Sequence, residues 1–103
     1  MRKRWNNTAA IKLDSSDWEP HYELGAELDA AGQTDAACDE FGAAARLTPG
    51  SSRTHLNYGV LLAKLGRLAA ARREFEESLR IEPTYAKAHQ YLAQVETLER
   101  RAP

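Results

Sequence analysis

The stretch "EFGAAARLTPG", residues 40–50, has a close counterpart, "EFEESLRIEPT", at residues 74–84. In both stretches a phenylalanine, an arginine, a large aliphatic residue and a proline follow in the same order. The shift that carries the first stretch onto the second also carries Gly25 onto Gly59. A fixed period of this length, about 34 residues, is typical of stacked repeats. We therefore expect a chain built from repeated units.

Each unit is predicted to contain two helices. In the second unit, apolar residues recur at helical spacing over residues 54–65 and again over residues 67–81. Gly66 separates the two segments, as glycine does just past the end of a helix, and Pro83 stops the second one. The first unit follows the same pattern. Strand-forming residues are few, whereas alanine, leucine, glutamate and arginine are abundant, so the composition also favours an all-α fold.

These positions resemble the tetratricopeptide repeat, whose pattern has a leucine–glycine pair, a later alanine, a phenylalanine four residues on, and then a proline. The residues that carry the resemblance, and that it assigns to packing within the repeat, are Leu24, Gly25, Ala37, Phe41 and Pro49 in the first unit and Tyr58, Gly59, Ala71, Phe75 and Pro83 in the second. Histidine holds the family's tryptophan position, at His21 and His55. The resemblance implies a short right-handed α-solenoid of antiparallel helix pairs, with two full repeats and flanking helices.

The period also predicts the boundaries of the units. Residues 1–17 are expected to form a degenerate half repeat or N-terminal helix, and residues 18–51 and 52–85 the two full units. Residues 86–103 are expected to form a C-terminal capping helix with a short tail.

The three histidines raise the question of a metal site, because His21, His55 and His89 follow one another at the interval of the repeat. Equivalent residues of stacked helices are separated by about 8–10 Å, whereas zinc needs nitrogens at about 2.0–2.1 Å. We therefore predict packing histidines and no metal. Cys38 adjoins Asp39, which would not stabilise a thiolate, so a nucleophilic role is not expected. No phosphate-binding loop or catalytic constellation stands out, which predicts neither an enzyme nor a cofactor.

Composition restricts the partners. A formal net charge of −1, from 14 basic and 15 acidic residues, argues against nucleic acid. No run of about 18 apolar residues is present to span a membrane. A single cysteine fits a reducing compartment, so a cytoplasmic location is expected. Nine acidic residues and one basic residue lie within residues 14–47, which indicates either solvated helix faces or an acidic end that steers a partner.

The resemblance implies that the first helices of the repeats line a concave groove that holds a partner peptide or protein. Transferred by position, the groove residues are Glu19, Tyr22, Asp29, Arg53, Leu56, Asn57, Val60, Lys64, Lys87, Gln90, Tyr91 and Gln94. An apolar centre with cations toward its C-terminal side would suit a segment with an apolar anchor and an acidic group. We therefore expect a protein–protein interaction module, an adaptor or scaffold.

Two alternatives stay open. The first is a structural protein that forms homo-oligomers through its helical ends, to which Trp5 and Trp18 could contribute. The second is a scaffold whose groove has no dedicated ligand. Some family members clamp the C-terminal carboxylate of a chaperone with a Lys-Asn-Asn-Lys-Arg set. Only Asn57 and Lys87 match that set, so the clamp is not expected here.

Overall fold

The computed structural model describes residues 17–101 as helices and short connections, with no strand in that range. The helices are α1 Trp18–Ala30, α2 Thr34–Leu47, α3 Ser52–Lys64, α4 Leu68–Ile81 and α5 Ala86–Arg101. The predicted all-α fold is thereby confirmed. Nearly all of the half repeat predicted for residues 1–17, including Trp5, lies outside the described residues, as do the last two residues of the predicted tail.

The first helix of each full unit begins at a side-chain cap. The Glu19 backbone N–H donates to Asp17 Oδ1 at 3.1 Å, and the Thr54 backbone N–H donates to Ser51 Oγ at 3.2 Å. Short polar side chains in this position satisfy amides that have no partner within the helix. Both caps immediately precede the predicted units, so local chemistry fixes where α1 and α3 begin.

Glycine turns join the two helices of each unit. Gly32 and Gly66 have φ values of 81° and 80°, a region that other residues rarely adopt. After Gly66, the Arg67 N–H donates to the Leu62 carbonyl at 2.9 Å, while the Gly66 N–H donates to the Ala63 carbonyl at 3.0 Å. This pair of bonds is the Schellman arrangement, which ends a helix and reverses the chain. The result is an antiparallel pair within each unit.

The helices stack in chain order, because α1 packs on α2, α2 on α3, α3 on α4 and α4 on α5. Contacts between α3 and α5, and side-chain bonds between α1 and α3, bring the first helices into one layer. We call the exposed surface of α1, α3 and α5 the groove face. The described part of the chain is elongated, with extents of 48, 27 and 18 Å, as a short solenoid should be.

A close approach of helices at two glycines organises the core. A Cβ placed on Gly25 would lie 3.1 Å from Phe41 Cδ2, and one placed on Gly59 would lie 2.7 Å from Phe75 Cε1. Both rings are buried, and so are Ala37 and Ala71 on the same second helices. Because the glycines have no side chain, each phenylalanine can lie against the first helix of its own unit.

Two prolines that were assigned to packing within the repeat lie outside the core. Pro49 and Pro83 are exposed and fill no part of the core. They follow the ends of α2 and α4, where proline's fixed backbone disfavours continued helix. Leu24 and Tyr58 are half-buried. The Tyr58 ring would lie 3.2 Å from a Cβ placed on Gly42, so it packs α3 against α2 of the preceding unit.

Candidate interaction groove

A pocket of about 230 Å³ opens between α1 and α3 on the groove face. It is smaller than the roughly 300–1,000 Å³ of typical small-molecule sites, so its size suits a single side chain better than a cofactor. Its lining residues are Tyr22, Ala26, Asp29, Phe41, Asn57, Val60 and Leu61. The structure thus brings together four of the residues predicted for the groove, namely Tyr22, Asp29, Asn57 and Val60.

The floor of the pocket is apolar. Phe41 and Leu61 are buried beneath it, and Val60 is half-buried at its side. Tyr22 meets Phe41 edge-on, with ring centroids 5.2 Å apart and planes at 89°, a favourable aromatic geometry. Phe41 and Leu61 were not predicted for the groove. Phe41 was assigned to packing alone, although its place beside Gly25 puts it directly beneath the first helix.

Two polar bridges cross from α1 to α3 at the rim of the pocket. Asn57 Nδ2 donates to Tyr22 Oη at 2.6 Å, and Lys64 Nζ donates to Asp29 Oδ1 at 3.2 Å. The second bridge changes the prediction for Lys64, which was expected to be a free cation facing a partner. Its charge is instead compensated by Asp29. Because both ends are substantially exposed, this ion pair contributes more to the position of the side chains than to stability.

An aromatic–arginine cluster, formed by Trp18, Tyr22 and Arg53, lies at the N-terminal end of the pocket. The Arg53 guanidinium carbon is 5.8 Å from the centre of the Tyr22 ring, within the range of a cation–π contact. Trp18 meets the Tyr22 ring edge-on at 5.9 Å and is 38% exposed. Tryptophan, tyrosine and arginine are the residue types most enriched at binding hot spots, and here Trp18 and Arg53 each contact Tyr22.

Leu56 does not belong to the exposed groove, contrary to the prediction. Its side chain is only 4% exposed and is part of the hydrophobic core. By the repeat period, Leu56 is equivalent to Tyr22 and Gln90. Tyr22 is half-buried, and Gln90 is exposed. The difference arises because α3 is the central helix, packed by α2, α4 and α5, whereas α1 and α5 are the outermost described helices.

The predicted groove residues of α5 do not line the pocket. Lys87, Gln90 and Gln94 are exposed on the same face, as is Glu19 on α1. Tyr91 is half-buried and stacks on Phe75, with centroids 5.6 Å apart and planes at 15°. The groove face therefore continues past the pocket onto α5 as a polar surface.

His55 links three parts of the fold. Its ring is buried, with Nδ1 2.7 Å from Glu74 Oε1 and Nε2 3.0 Å from the Pro49 carbonyl oxygen. The Pro49 carbonyl can only accept, so Nε2 donates to it, whereas the direction of the bond between Nδ1 and Glu74 depends on where the proton lies. The residue thereby ties α3 to α4 and to the loop that precedes α3.

The other two histidines repeat parts of this arrangement. His21 Nδ1 lies 2.8 Å from Glu40 Oε1, the same contact one unit earlier. His89 Nε2 donates to the Pro83 carbonyl at 2.8 Å, but its side chain is exposed rather than partly buried. Among residues 17–101, no group of three histidine, cysteine or acidic side chains is arranged to hold a metal ion.

Cys38 is a packing residue. Its side chain is 3% exposed, and burial raises the pKa of the thiol, with smaller effects from Arg67, which lowers it, and Asp39, which raises it. A raised pKa keeps the sulfur in the thiol form, which is a poor nucleophile. As for membranes, none of the helices in the described part of the chain is long and apolar enough to cross a bilayer.

Comparison with known proteins identifies the repeat. A family model described as "Tetratricopeptide repeat" matches residues 29–95, well over half of the chain. No curated protein sequence matches the chain.

Solved structures share the fold. MamA has 21% sequence identity and a TM-score of 0.80 over 86% of this chain and 52% of its own, so the present chain spans about half the length of MamA. The Yersinia enterocolitica type III secretion chaperone SycD, in complex with a peptide of the translocator YopD, has 20% identity and a TM-score of 0.78. That match covers 89% of this chain and 76% of SycD. At these identities the likeness concerns the fold alone.

Proposed function

Because the chain belongs to the tetratricopeptide repeat family, we propose that it is a protein-interaction module that binds a partner segment on its groove face and performs no catalysis. The observation that carries this proposal is the pocket between α1 and α3, whose apolar floor and polar rim are sized for one anchoring side chain. The complex of SycD with a YopD peptide supports it by analogy of fold.

The proposed contact residues follow the placement described above. Leu56 is left out, since it lies beneath the surface and supports the groove without touching a partner. The remaining predicted residues are Glu19, Tyr22, Asp29, Arg53, Asn57, Val60, Lys64, Lys87, Gln90, Tyr91 and Gln94. Those that line the pocket would receive the apolar anchor, and the others would contact the flanking parts of the segment.

The test uses one substitution at two sites. Ala26 is exposed and lines the pocket, whereas Ala69 is exposed on α4, outside the groove face. Peptides selected from a random library on the intact chain are measured by fluorescence polarisation against Ala26→Arg and Ala69→Arg. We expect Ala26→Arg to weaken binding about 10-fold or more, because losing one buried anchor costs about 1.5–3 kcal/mol. Ala69→Arg should bind like the original chain. Equal binding by both variants would refute the proposal.

Self-association is a second proposed function, favoured by two exposed apolar residues on the outermost described helices. Trp18 on α1 is 38% exposed and Leu98 on α5 is 47% exposed. Contact between an α1 end and an α5 end would be head-to-tail, so it would extend into chains rather than close as a dimer. Light scattering over a concentration series is the test. A constant monomer mass at every concentration would exclude it.

A further inference from the structure

A row of three charged side chains crosses the N-terminal edge of the groove face. Glu19, Arg53 and Lys87 are each the second residue of their helix, on α1, α3 and α5, and they occupy the same position of successive repeats. All three are exposed. Equivalent positions in a repeat array lie side by side. We call this set the N-terminal row; its charge changes from negative on α1 to positive on α3 and α5.

The charges of this row are not compensated by acidic or basic partners in the described part of the chain. Within residues 17–101, none of the three side chains takes part in an ion pair, whereas Lys64 on the same face is paired with Asp29. The N-terminus of a helix carries partial positive charge, so Arg53 and Lys87 stand where a cation is unfavourable and Glu19 stands where an anion is favourable. Cations placed against the helix dipole and outside any ion pair break a rule that favours stability, and natural proteins break such rules mostly at functional sites.

Arg53 also connects the row to the pocket. Its guanidinium lies over the ring of Tyr22, and that ring is part of the pocket wall. An anion bound by Arg53 would therefore sit next to an apolar side chain that occupies the pocket. The aromatic contact restrains the guanidinium, which lowers the entropy lost when it binds a carboxylate.

We propose that the partner is an extended segment with two acidic side chains, which contact Arg53 and Lys87, and an apolar residue on the α1 side of the Arg53 contact, which enters the pocket. This inference rests on the proposed function. Packed helices lie about 8–10 Å apart, an extended chain advances about 3.3 Å per residue, and its side chains alternate between two faces, so the two acids should be about two or four residues apart, on the same face of the segment. Acidic side chains are taken as the source, because each of the two cations can then bind a carboxylate of its own, and the experiment below separates them from a C-terminal carboxylate. Glu19 would repel a third acid beyond Arg53.

The experiment compares charges on both partners. Peptides selected from a random library are first sorted by sensitivity to Ala26→Arg, so that only groove-dependent binders are retained. We expect these to carry the acidic pair, and to lose about 10-fold in affinity, about 1.4 kcal/mol, when both acids become amides, since the two cations are exposed and each such pair contributes modestly. Arg53→Glu and Lys87→Glu should have similar effects. Arg73→Glu, an equal charge change at an exposed site of α4, is the control and should leave affinity unchanged.

Each result decides one of the two proposals. Groove-dependent peptides that are neutral or basic, or that bind Arg53→Glu as well as the original chain, would overturn the acidic-partner inference and leave the groove intact as a binding site. Loss of binding on C-terminal amidation, with no effect of the side-chain amides, would also overturn it. If no peptide is sensitive to Ala26→Arg, the proposed function itself fails, and the inference fails with it.

Discussion

Replacement of Gly59 by alanine tests how the two helices of a unit fit together. The new Cβ would lie 2.7 Å from Phe75 Cε1 and 2.9 Å from Cδ1, closer than carbon atoms approach without displacement. Phe75 is fully buried, and its ring is stacked on Tyr91. The ring therefore cannot move away without disturbing α5. Gly25 provides the comparison, because its Cβ would lie 3.1 Å from Phe41 Cδ2, where a small shift suffices.

Two opposing effects set the magnitude. Glycine to alanine inside a helix favours the folded state by about 1 kcal/mol, whereas overpacking of a close-packed core costs about 1–3 kcal/mol. At Gly59 the contact is severe, so we expect the free energy of unfolding to fall by about 1–2 kcal/mol. At Gly25 the two effects should nearly cancel, leaving stability within about 0.5 kcal/mol of the original.

Urea unfolding followed by far-ultraviolet circular dichroism measures both variants under the same conditions. The slope of free energy against urea should stay constant, so that a change in midpoint reports stability. A double-mutant cycle with Phe75→Leu isolates the clash, because removing the ring should remove most of the penalty of Gly59→Ala. A Gly59→Ala variant as stable as the original chain would refute the close packing described here, and so would additive effects in the cycle.

Three further predictions concern single side chains. His55→Phe should lower the free energy of unfolding by about 1–3 kcal/mol, because it removes the ring's bonds to the Glu74 side chain and the Pro49 carbonyl, while His89→Phe, at an exposed site with one bond, should change it far less; equal losses in urea unfolding would contradict the linking role of His55. Burial raises the pKa of Tyr58, so the neutral phenol is favoured in the folded chain; the stability that Tyr58 contributes should be fully present below about pH 10 and be lost as the pH rises through the folded pKa, so Tyr58→Phe should reduce the fall of stability in alkaline titrations. Cys38 should react with a thiol reagent far more slowly in the folded chain than in urea, since it is buried and protonated, and equal rates would show that it is accessible.

The repeat period was enough to predict the all-α fold and the family, because the glycine and phenylalanine positions that recur are those where helices meet. The period could not show which equivalent positions are buried by neighbouring helices and which are exposed. Leu56 and Tyr22 are equivalent by sequence, yet one is covered because α3 is central. The bridge from Asp29 to Lys64 spans 35 residues, one more than the period. Alignment of equivalent positions therefore never brings these two side chains opposite each other, and the charge of Lys64 was misread.

The two bridges from α1 to α3 have a mechanical consequence. Tyr22 with Asn57 and Asp29 with Lys64 fasten consecutive units together on the groove side. Bending the array so that the groove widens must stretch both bonds, whereas bending it the other way shortens the gap that they cross. The solenoid should therefore resist bending more strongly in the direction that widens the groove than in the opposite direction. A change in its curvature should also change the width of its binding surface.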